Sequence, residues 1–171
     1  MLYLTFFFFL NKKVWEVKCE APIYSSPCVS NELDMIIFGC HDGHLYMINF
    51  EEIEIKSKDQ NQTAITRFEI GSGIYSSPFL ALLPSNNENR DGNESKRKEF
   101  FIATTSMDGK VVLLKAIVNN DSRPMVSIIA SKTFSAPIFS SPIVLSVDSK
   151  FFITVGCRDD NLYLLSLEPN K

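Results

Sequence analysis

Two histidines are the side chains of this sequence best suited to proton transfer or metal binding, because imidazole titrates near neutral pH and is a common metal ligand. His41 and His44 flank the dipeptide Asp42-Gly43. Two later acidic turns carry other residues at the same two positions, Met107 and Lys110 in one and Arg158 and Asn161 in the other. A shared acid–base or metal role is therefore not part of the pattern, and we expect both histidines to be surface turn residues.

The possible nucleophiles and soft metal ligands are four cysteines and a few serine pairs. Cys19, Cys28, Cys40 and Cys157 form no Cys-x-x-Cys pair, so a structural zinc site lacks ligands at usable spacing. We expect them to be reduced and buried, which favours a cytoplasmic protein. The serine pairs at 25–26 and 140–141 lead directly into proline, unlike the nucleophile elbow of serine hydrolases. The sequence therefore predicts no catalytic, cofactor-binding or metal-binding residue.

Charge and composition argue against further classes of protein. The 171 residues include 17 Lys and Arg against 20 Asp and Glu, a formal net charge of −3 at pH 7. Nucleic acids and anionic membranes attract basic proteins, so neither is an expected partner. Hydrophobic residues make up 45% of the chain and charged residues 22%, which is typical of one globular domain. The 14 phenylalanines favour strands.

A short motif occurs three times and organises the chain. An isoleucine and an aromatic residue precede Ser-Ser-Pro, and an apolar run, an acidic turn and a second apolar run follow it. The serines and prolines are Ser25, Ser26 and Pro27, then Ser76, Ser77 and Pro78, then Ser140, Ser141 and Pro142. The turns contain Asp42 and Gly43, Asp108 and Gly109, and Asp159. We interpret these residues as the structural motif of a repeat.

Each acidic turn joins two strand-like runs and so predicts a tight β-hairpin. The paired runs are 35–40 and 45–48, 100–105 and 111–114, and 151–157 and 162–165. Asp-Gly favours a two-residue type I′ turn, because glycine adopts positive φ without steric cost and aspartate can bond its own backbone. In the third copy Asp160-Asn161 stands in place of glycine, and we expect Asn161 to adopt the left-handed conformation.

Two segments do not fit the repeat. Residues 84–99 lengthen the second copy and contain no apolar side chain, which predicts a solvated surface loop. Residues 1–12 open with an apolar run of about ten residues, too short for a transmembrane helix. Their lysines follow this run rather than precede it. We interpret 1–12 as a gene-model artefact, with a genuine strand or anchor and a signal sequence as alternatives.

A further strand-like run precedes each copy, at 14–19, 65–70 and 126–131, and Ser-Ser-Pro is assigned to another strand. Each unit then has four short strands, and radial stacking of such units is a β-propeller. The predicted fold is all-β, with about three four-stranded antiparallel blades in an incomplete ring. The copies lie near 14–50, 65–117 and 126–167 within a propeller region 13–171. The aromatic and isoleucine residues would pack between blades, and the serines would line the central channel.

The repeat resembles the PQQ-type β-propeller repeat. More narrowly, the segments 14–42, 105–111 and 139–159 resemble the C-terminal propeller of the beta-alanine-activating enzyme family, in the acyl-CoA synthetase superfamily. In that family an adenylation domain activates an amino acid and a carrier domain accepts it on phosphopantetheine. This sequence has neither the glycine-rich phosphate loop of such an adenylation domain nor a Gly-x-Asp-Ser-like attachment site of a carrier domain. The resemblance therefore carries over no catalytic residue. Quinoproteins dock their cofactor with recurrent tryptophans and adjacent cysteines, whereas this chain has one tryptophan, Trp15, so we expect no quinone cofactor.

The predicted function is that of a non-catalytic propeller segment of a beta-alanine-activating-enzyme-like protein, acting as a scaffold or docking surface. Its expected partners are other domains of the same polypeptide or another protein. The alternatives are a free-standing propeller interaction module and, if 1–10 is a true signal, a luminal sensor. An incomplete ring exposes a sheet edge and an apolar face, so we also expect self-association.

Overall fold

The computed structural model describes residues 16–49, 65–82, 98–119, 123–147 and 150–167. Within these ranges the chain forms strands and no helix. The strands are β1 (Cys28–Ser30), β2 (Met35–Gly39), β3 (His44–Asn49), β4 (Ile65–Glu69), β5 (Phe79–Leu82), β6 (Lys98–Thr105), β7 (Lys110–Val118), β8 (Met125–Thr133), β9 (Ile143–Val147), β10 (Lys150–Gly156) and β11 (Leu162–Leu167). The apolar segment 1–12 and most of the insertion 84–99 lie outside the described residues. Residues 98 and 99 of that predicted loop instead begin β6, because they pair with β7.

The strands form three antiparallel sheets whose neighbours follow one another along the chain. The first sheet has the order β1-β2-β3-β4 and the second β5-β6-β7-β8. The third, β9-β10-β11, has three strands in the part of the chain that the structure describes. The first sheet packs on the second and the second on the third, which makes each sheet one blade. The predicted all-β, incomplete propeller is confirmed.

The fourth strand of a blade comes from the run that precedes the next copy of the motif. The strand β4 pairs with β3, and β8 pairs with β7. The predicted grouping of strands into sheets is therefore wrong by one strand, because each of these runs pairs with its sequence predecessor, the shorter connection. The equivalent run at 14–19 is not a strand over its described residues 16–19.

Proline sets where each blade begins. Pro27, Pro78 and Pro142 each stand one residue before the first strand of their blade. The prediction that Ser-Ser-Pro belongs to a strand, with proline near its end or at a bulge, is wrong, because the motif precedes the strand. Proline has no N–H to give to the ladder and suits the position just before it.

Two apolar clusters join the blades, and a third covers the outside of the first blade. The face of each blade toward the following blade is here called its trailing face, and the opposite one its leading face. The trailing face of the first blade includes Ile37, Leu45 and Met47, which pack on Phe100, Ile102 and Leu114 of the second. Ala103, Val111 and Leu113 of the second blade pack on Ile153 and Val155 of the third. The leading face of the first blade, with Phe38, Tyr46 and Ile48, is covered by Val17, Cys19 and Ala21.

The acidic turns are three-residue loops rather than two-residue type I′ turns. The Gly43 N–H donates to Cys40 O at 3.1 Å, and the Cys40 N–H donates to His44 O at 3.0 Å. Gly43 and Gly109 have φ of 85° and 80°, but Asp42 and Asp108 do not adopt positive φ. In the third copy Asp160, with φ of 65°, takes the left-handed position expected for Asn161. A type I turn followed by one left-handed residue suits Asp-Gly because only one residue needs positive φ.

None of the described segments forms a helix of the length and hydrophobicity needed to cross a membrane.

Candidate functional site

The first serine of each motif fastens the end of the second strand of its blade. The Ser25 hydroxyl donates to Gly39 O at 2.9 Å and accepts from the Gly39 N–H at 2.8 Å. Ser76 makes both bonds with Thr105 at 3.0 and 3.1 Å, and Ser140 makes them with Gly156 at 2.8 and 2.9 Å. One hydroxyl thus satisfies both backbone groups of a strand residue. Ser25 and Ser76 are buried, so they do not line the channel as expected.

The second serine links neighbouring blades. The Ser26 N–H donates to Ser77 Oγ, and the Ser77 N–H donates to Ser141 Oγ, both at 2.9 Å. This row, here called the serine ladder, has a direction, because each blade gives a backbone donor to the hydroxyl of the next. Ser26 and Ser141 at its two ends are exposed.

The turn aspartates are bound within their own hairpins. Asp42 accepts from the His44 N–H at 2.9 Å through Oδ1 and from the Tyr46 hydroxyl at 2.6 Å through Oδ2. Asp159 repeats both contacts with Asn161 at 3.2 Å and Tyr163 at 2.7 Å. Asp108 instead accepts from the Ser106 hydroxyl at 2.5 Å. Each of these carboxylates thus accepts hydrogen bonds from groups of its own turn or hairpin.

The first hairpin should be sensitive to acid. Burial favours a raised pKa for Asp42, but the hydrogen bonds from Tyr46 and the His44 backbone outweigh it and hold the pKa below its usual value. A carboxyl group whose pKa is lower in the folded than in the unfolded state stabilises the folded state. This contribution is complete above the unfolded-state pKa of about 3.9 and is lost as the pH falls through the folded-state pKa. We expect Tyr46→Phe to lower the free energy of unfolding by about 1.5–3 kcal/mol at pH 7. The difference from wild type should shrink below about pH 4, as measured by urea unfolding from pH 7 to pH 2.

The matched control is Tyr163→Phe, which removes the same contact where the tyrosine is half-buried, whereas Tyr46 is buried. Water can replace the lost hydroxyl there, so the effect should be much smaller. Equal losses at both tyrosines, or a Tyr46→Phe effect that does not change with pH, would contradict the assignment.

One aromatic side chain stands just before the first serine of each blade, and together the three form a row. Tyr24 and Tyr75 stack with ring centroids 4.5 Å apart and planes at 12°. Phe139 meets Tyr75 edge to face at 5.2 Å. Tyr24 is 54% exposed, so the expected burial of the motif's aromatics between blades is wrong for this residue. We name Tyr24, Tyr75 and Phe139 the aromatic row.

The first residues of two turns flank the aromatic row. The His41 ring lies 5.7 Å from Tyr24 and 5.1 Å from Tyr75, and the Arg158 guanidinium lies 5.5 Å from the Phe139 ring centre. Aromatic faces with a cation beside them suit stacking and cation–π contacts with a partner. The sequence shows an aromatic residue before every Ser-Ser-Pro, so the row itself could be predicted. The exposure of Tyr24 could not.

The two histidines differ in their surroundings, and both are half-buried rather than surface residues. His41 Nδ1 is buried and has no hydrogen-bond partner among the described residues. A Cβ added to Gly73 would lie 1.9 Å from this nitrogen. His44 Nδ1 lies 3.2 Å from Asp42 O and 3.4 Å from the Asp42 carboxylate. No group of three or more His, Cys, Asp or Glu in the described ranges is arranged to hold a metal ion.

All four cysteines are free thiols. Cys40 is buried, whereas Cys19, Cys28 and Cys157 are half-buried, so the expectation of burial holds fully for one of them. Burial raises the pKa of Cys19 to about 11, which keeps this thiol protonated and unreactive at neutral pH.

Comparison with known proteins places these features in context. The chain is 31% identical over 142 residues to the human beta-alanine-activating enzyme and 28% identical over 145 residues to the zebrafish one. These alignments cover 83% and 84% of the chain, and the chain spans about a tenth of the length of either relative. The WD40 domain of SCAP from fission yeast superposes with a TM-score of 0.53 at 11% identity, over 85% of this chain and 29% of that one. No protein-family model matches the chain.

Proposed function

Because the chain is a homologue of the beta-alanine-activating enzymes with a propeller fold, we propose that it is a non-catalytic docking segment of such a protein. Adenylation of the amino acid and its transfer to a phosphopantetheine carrier belong to other parts of the longer polypeptide, in the cytoplasm. The segment supplies the surface on which the loaded carrier or the acceptor of the activated amino acid is held.

The observation that carries this proposal is the aromatic row. Three rings from three blades lie side by side, and the outermost, Tyr24, is more than half exposed. The rings are fixed by their neighbours, because each is followed by a serine bound to the strand end of its own blade. Rigid aromatic side chains give large contact area at little loss of conformational entropy, which is why they dominate protein interfaces.

A binding titration tests the proposal. We expect the chain to bind the carrier domain of the human relative, loaded with beta-alanine on phosphopantetheine, and Tyr75→Ala to weaken this binding at least about tenfold. Met125→Ala is the matched control, since Met125 is 59% exposed but lies on β8, away from the row. We also expect no pyrophosphate release when the chain is given ATP, Mg²⁺ and beta-alanine. Equal binding by both variants, or pyrophosphate release, would overturn the proposal.

A further inference from the structure

Two of the four free thiols touch each other at the leading face of the first blade. Residues 16–22, here called the covering segment, lie on that face, and Cys19 of this segment packs on the cluster that contains Cys40. Cys40 follows β2 directly and is fully buried. The Cys19 thiol is hydrogen-bonded to the Cys40 thiol and to the Tyr46 hydroxyl. Two cysteines in direct contact can be joined by a disulfide with little movement of the backbone.

Backbone contacts hold the covering segment beside Cys40. The Cys40 sulfur lies 3.3 Å from Ala21 O and 3.7 Å from Pro22 O. The next residue, His41, donates its N–H to Pro22 O at 3.0 Å. Cys19 stands two residues before Ala21, so these contacts keep its thiol within reach of Cys40.

The third blade repeats the contacts of Cys40. Cys157 occupies the same position, three residues before the left-handed residue of the turn. Its sulfur lies 3.5 Å from Ala136 O and 3.8 Å from Pro137 O. The placement of the Cys40 sulfur is therefore a property of the fold.

The residue that faces this sulfur differs from blade to blade. Counted from Ser-Ser-Pro, Phe134 is the equivalent of Cys19, and its ring centroid lies 4.3 Å from that of Tyr163. In the second blade the two positions hold Ile70 and Ser106. Of the three blades, the first alone has cysteine at both positions.

We propose that Cys19 and Cys40 form a reversible disulfide, which locks the covering segment to the first blade when the protein meets a low-molecular-weight disulfide such as oxidised glutathione. The Cys19 thiol gives its proton to water, and the thiolate attacks one sulfur of the small disulfide and displaces the other as a thiolate. The Cys40 thiol then attacks the Cys19 sulfur of the mixed disulfide, and its proton passes to the second leaving thiolate. The two protein thiols lose two electrons, and the small disulfide gains them and becomes two small thiols.

The surroundings of the pair make this reaction slow and selective. The small disulfide meets Cys19 first, because Cys19 is half-buried and Cys40 is fully buried. Burial raises the pKa of Cys19 to about 11, so only a small fraction of this thiol is ionised at neutral pH. In the cytoplasm, where the proposed function places the protein, reduced glutathione keeps the pair as two thiols. The lock therefore closes only under sustained oxidation.

Mass spectrometry under native conditions tests the proposal. We expect the unmodified chain, incubated with oxidised glutathione at about pH 8.5, to lose about 2 Da and to give a peptide in which Cys19 is linked to Cys40. Dithiothreitol should reverse both changes. Cys28 and Cys157 should remain free to alkylation, because Cys28 contacts the Leu80 backbone on the side of the second blade and Cys157 lies in the third.

Matched serine variants identify the pair. Cys19→Ser and Cys40→Ser should each abolish the loss of mass, whereas Cys28→Ser and Cys157→Ser should leave it unchanged. The oxidised chain should melt about 5 °C or more above the reduced chain, because the cross-link closes a loop of about 20 residues in the unfolded state. Cys19→Ser should melt at the same temperature before and after the oxidation.

A gain of function tests the position within the repeat. Phe134→Cys places a thiol where the third blade has the equivalent of Cys19, so it should add a second disulfide, to Cys157. Circular dichroism shows whether the variant is folded. A folded variant that links only Cys19 to Cys40 would contradict the argument from the repeat.

Other results would overturn the proposal itself. A chain that keeps four free thiols, a disulfide that forms in Cys19→Ser or Cys40→Ser, or a linked peptide that contains Cys28 or Cys157 would reject this pair. An oxidised chain that melts no higher than the reduced one would reject the lock. The carrier-binding test uses the aromatic row of the reduced chain, so either proposal can fail without the other.

Discussion

Gly39→Ala should lower the melting temperature of the chain by about 6–12 °C. This shift corresponds to a loss of about 3 kcal/mol in the free energy of unfolding, the upper end of the cost typical of overpacking a protein core. An added Cβ would lie 2.2 Å from Ile74 Cγ2 and 2.9 Å from Ile74 Cβ. Ile74 is fully buried and β-branched, so it has no free space and few rotamers with which to yield. Differential scanning calorimetry measures the shift.

Gly156→Ala is the control at the same position of the third blade. Within one chain the added methyl group would make ordinary contacts at 3.6 and 3.8 Å with Ser140, so folding should be affected little. Equal losses of folding stability at both glycines would contradict the close packing of Ile74 on Gly39 as the cause.

Ser76→Ala should have the second large effect, about 2–4 kcal/mol in the free energy of unfolding. The serine hydroxyl is hydrogen-bonded to both the N–H and the carbonyl of Thr105, and both residues are fully buried. Alanine leaves these two backbone groups without partners and out of reach of water, which costs the desolvation of each. Equilibrium unfolding in urea gives the difference from wild type.

Ser140→Ala tests the same pair of bonds in a different environment. Ser140 and Gly156 are half-buried, so water can take over both backbone groups, and the loss should be about 1 kcal/mol or less. If the two alanine variants are equally destabilised, burial is not what makes the Ser76 contact strong.

Local patterns predicted the hairpins and the repeat correctly. Each acidic turn joins adjacent strands, and Ile74 and Ile138 are buried as expected. Both features depend on residues close together in the sequence, because hairpin pairing is local and hydrophobicity belongs to the side chain itself. The turn type was not predictable in this way. Two-residue and three-residue loops both accept Asp-Gly, and the choice depends on which residues pair across the strands.

The remaining errors concern contacts between distant residues. Whether β4 pairs with the blade before it or with the blade after it depends on which sheet edge it can reach. The sequence of β4 itself does not encode this choice. The exposure of Tyr24 was not predictable from the motif either, since its copies Tyr75 and Phe139 are half-buried. The serine ladder could not be foreseen either, because its donors are backbone groups of another blade.

The two steps of the serine ladder join residues 51 and 64 positions apart in the chain, with the same 2.9 Å geometry. The contact therefore depends on where Ser-Ser-Pro lies within each blade, just before its first strand, and not on the number of residues between copies of the motif. Loops between strands can lengthen or shorten during evolution while the ring keeps its geometry. Relatives of this repeat should be easier to find by anchoring a search on the motif and leaving the period free than by assuming a constant repeat length.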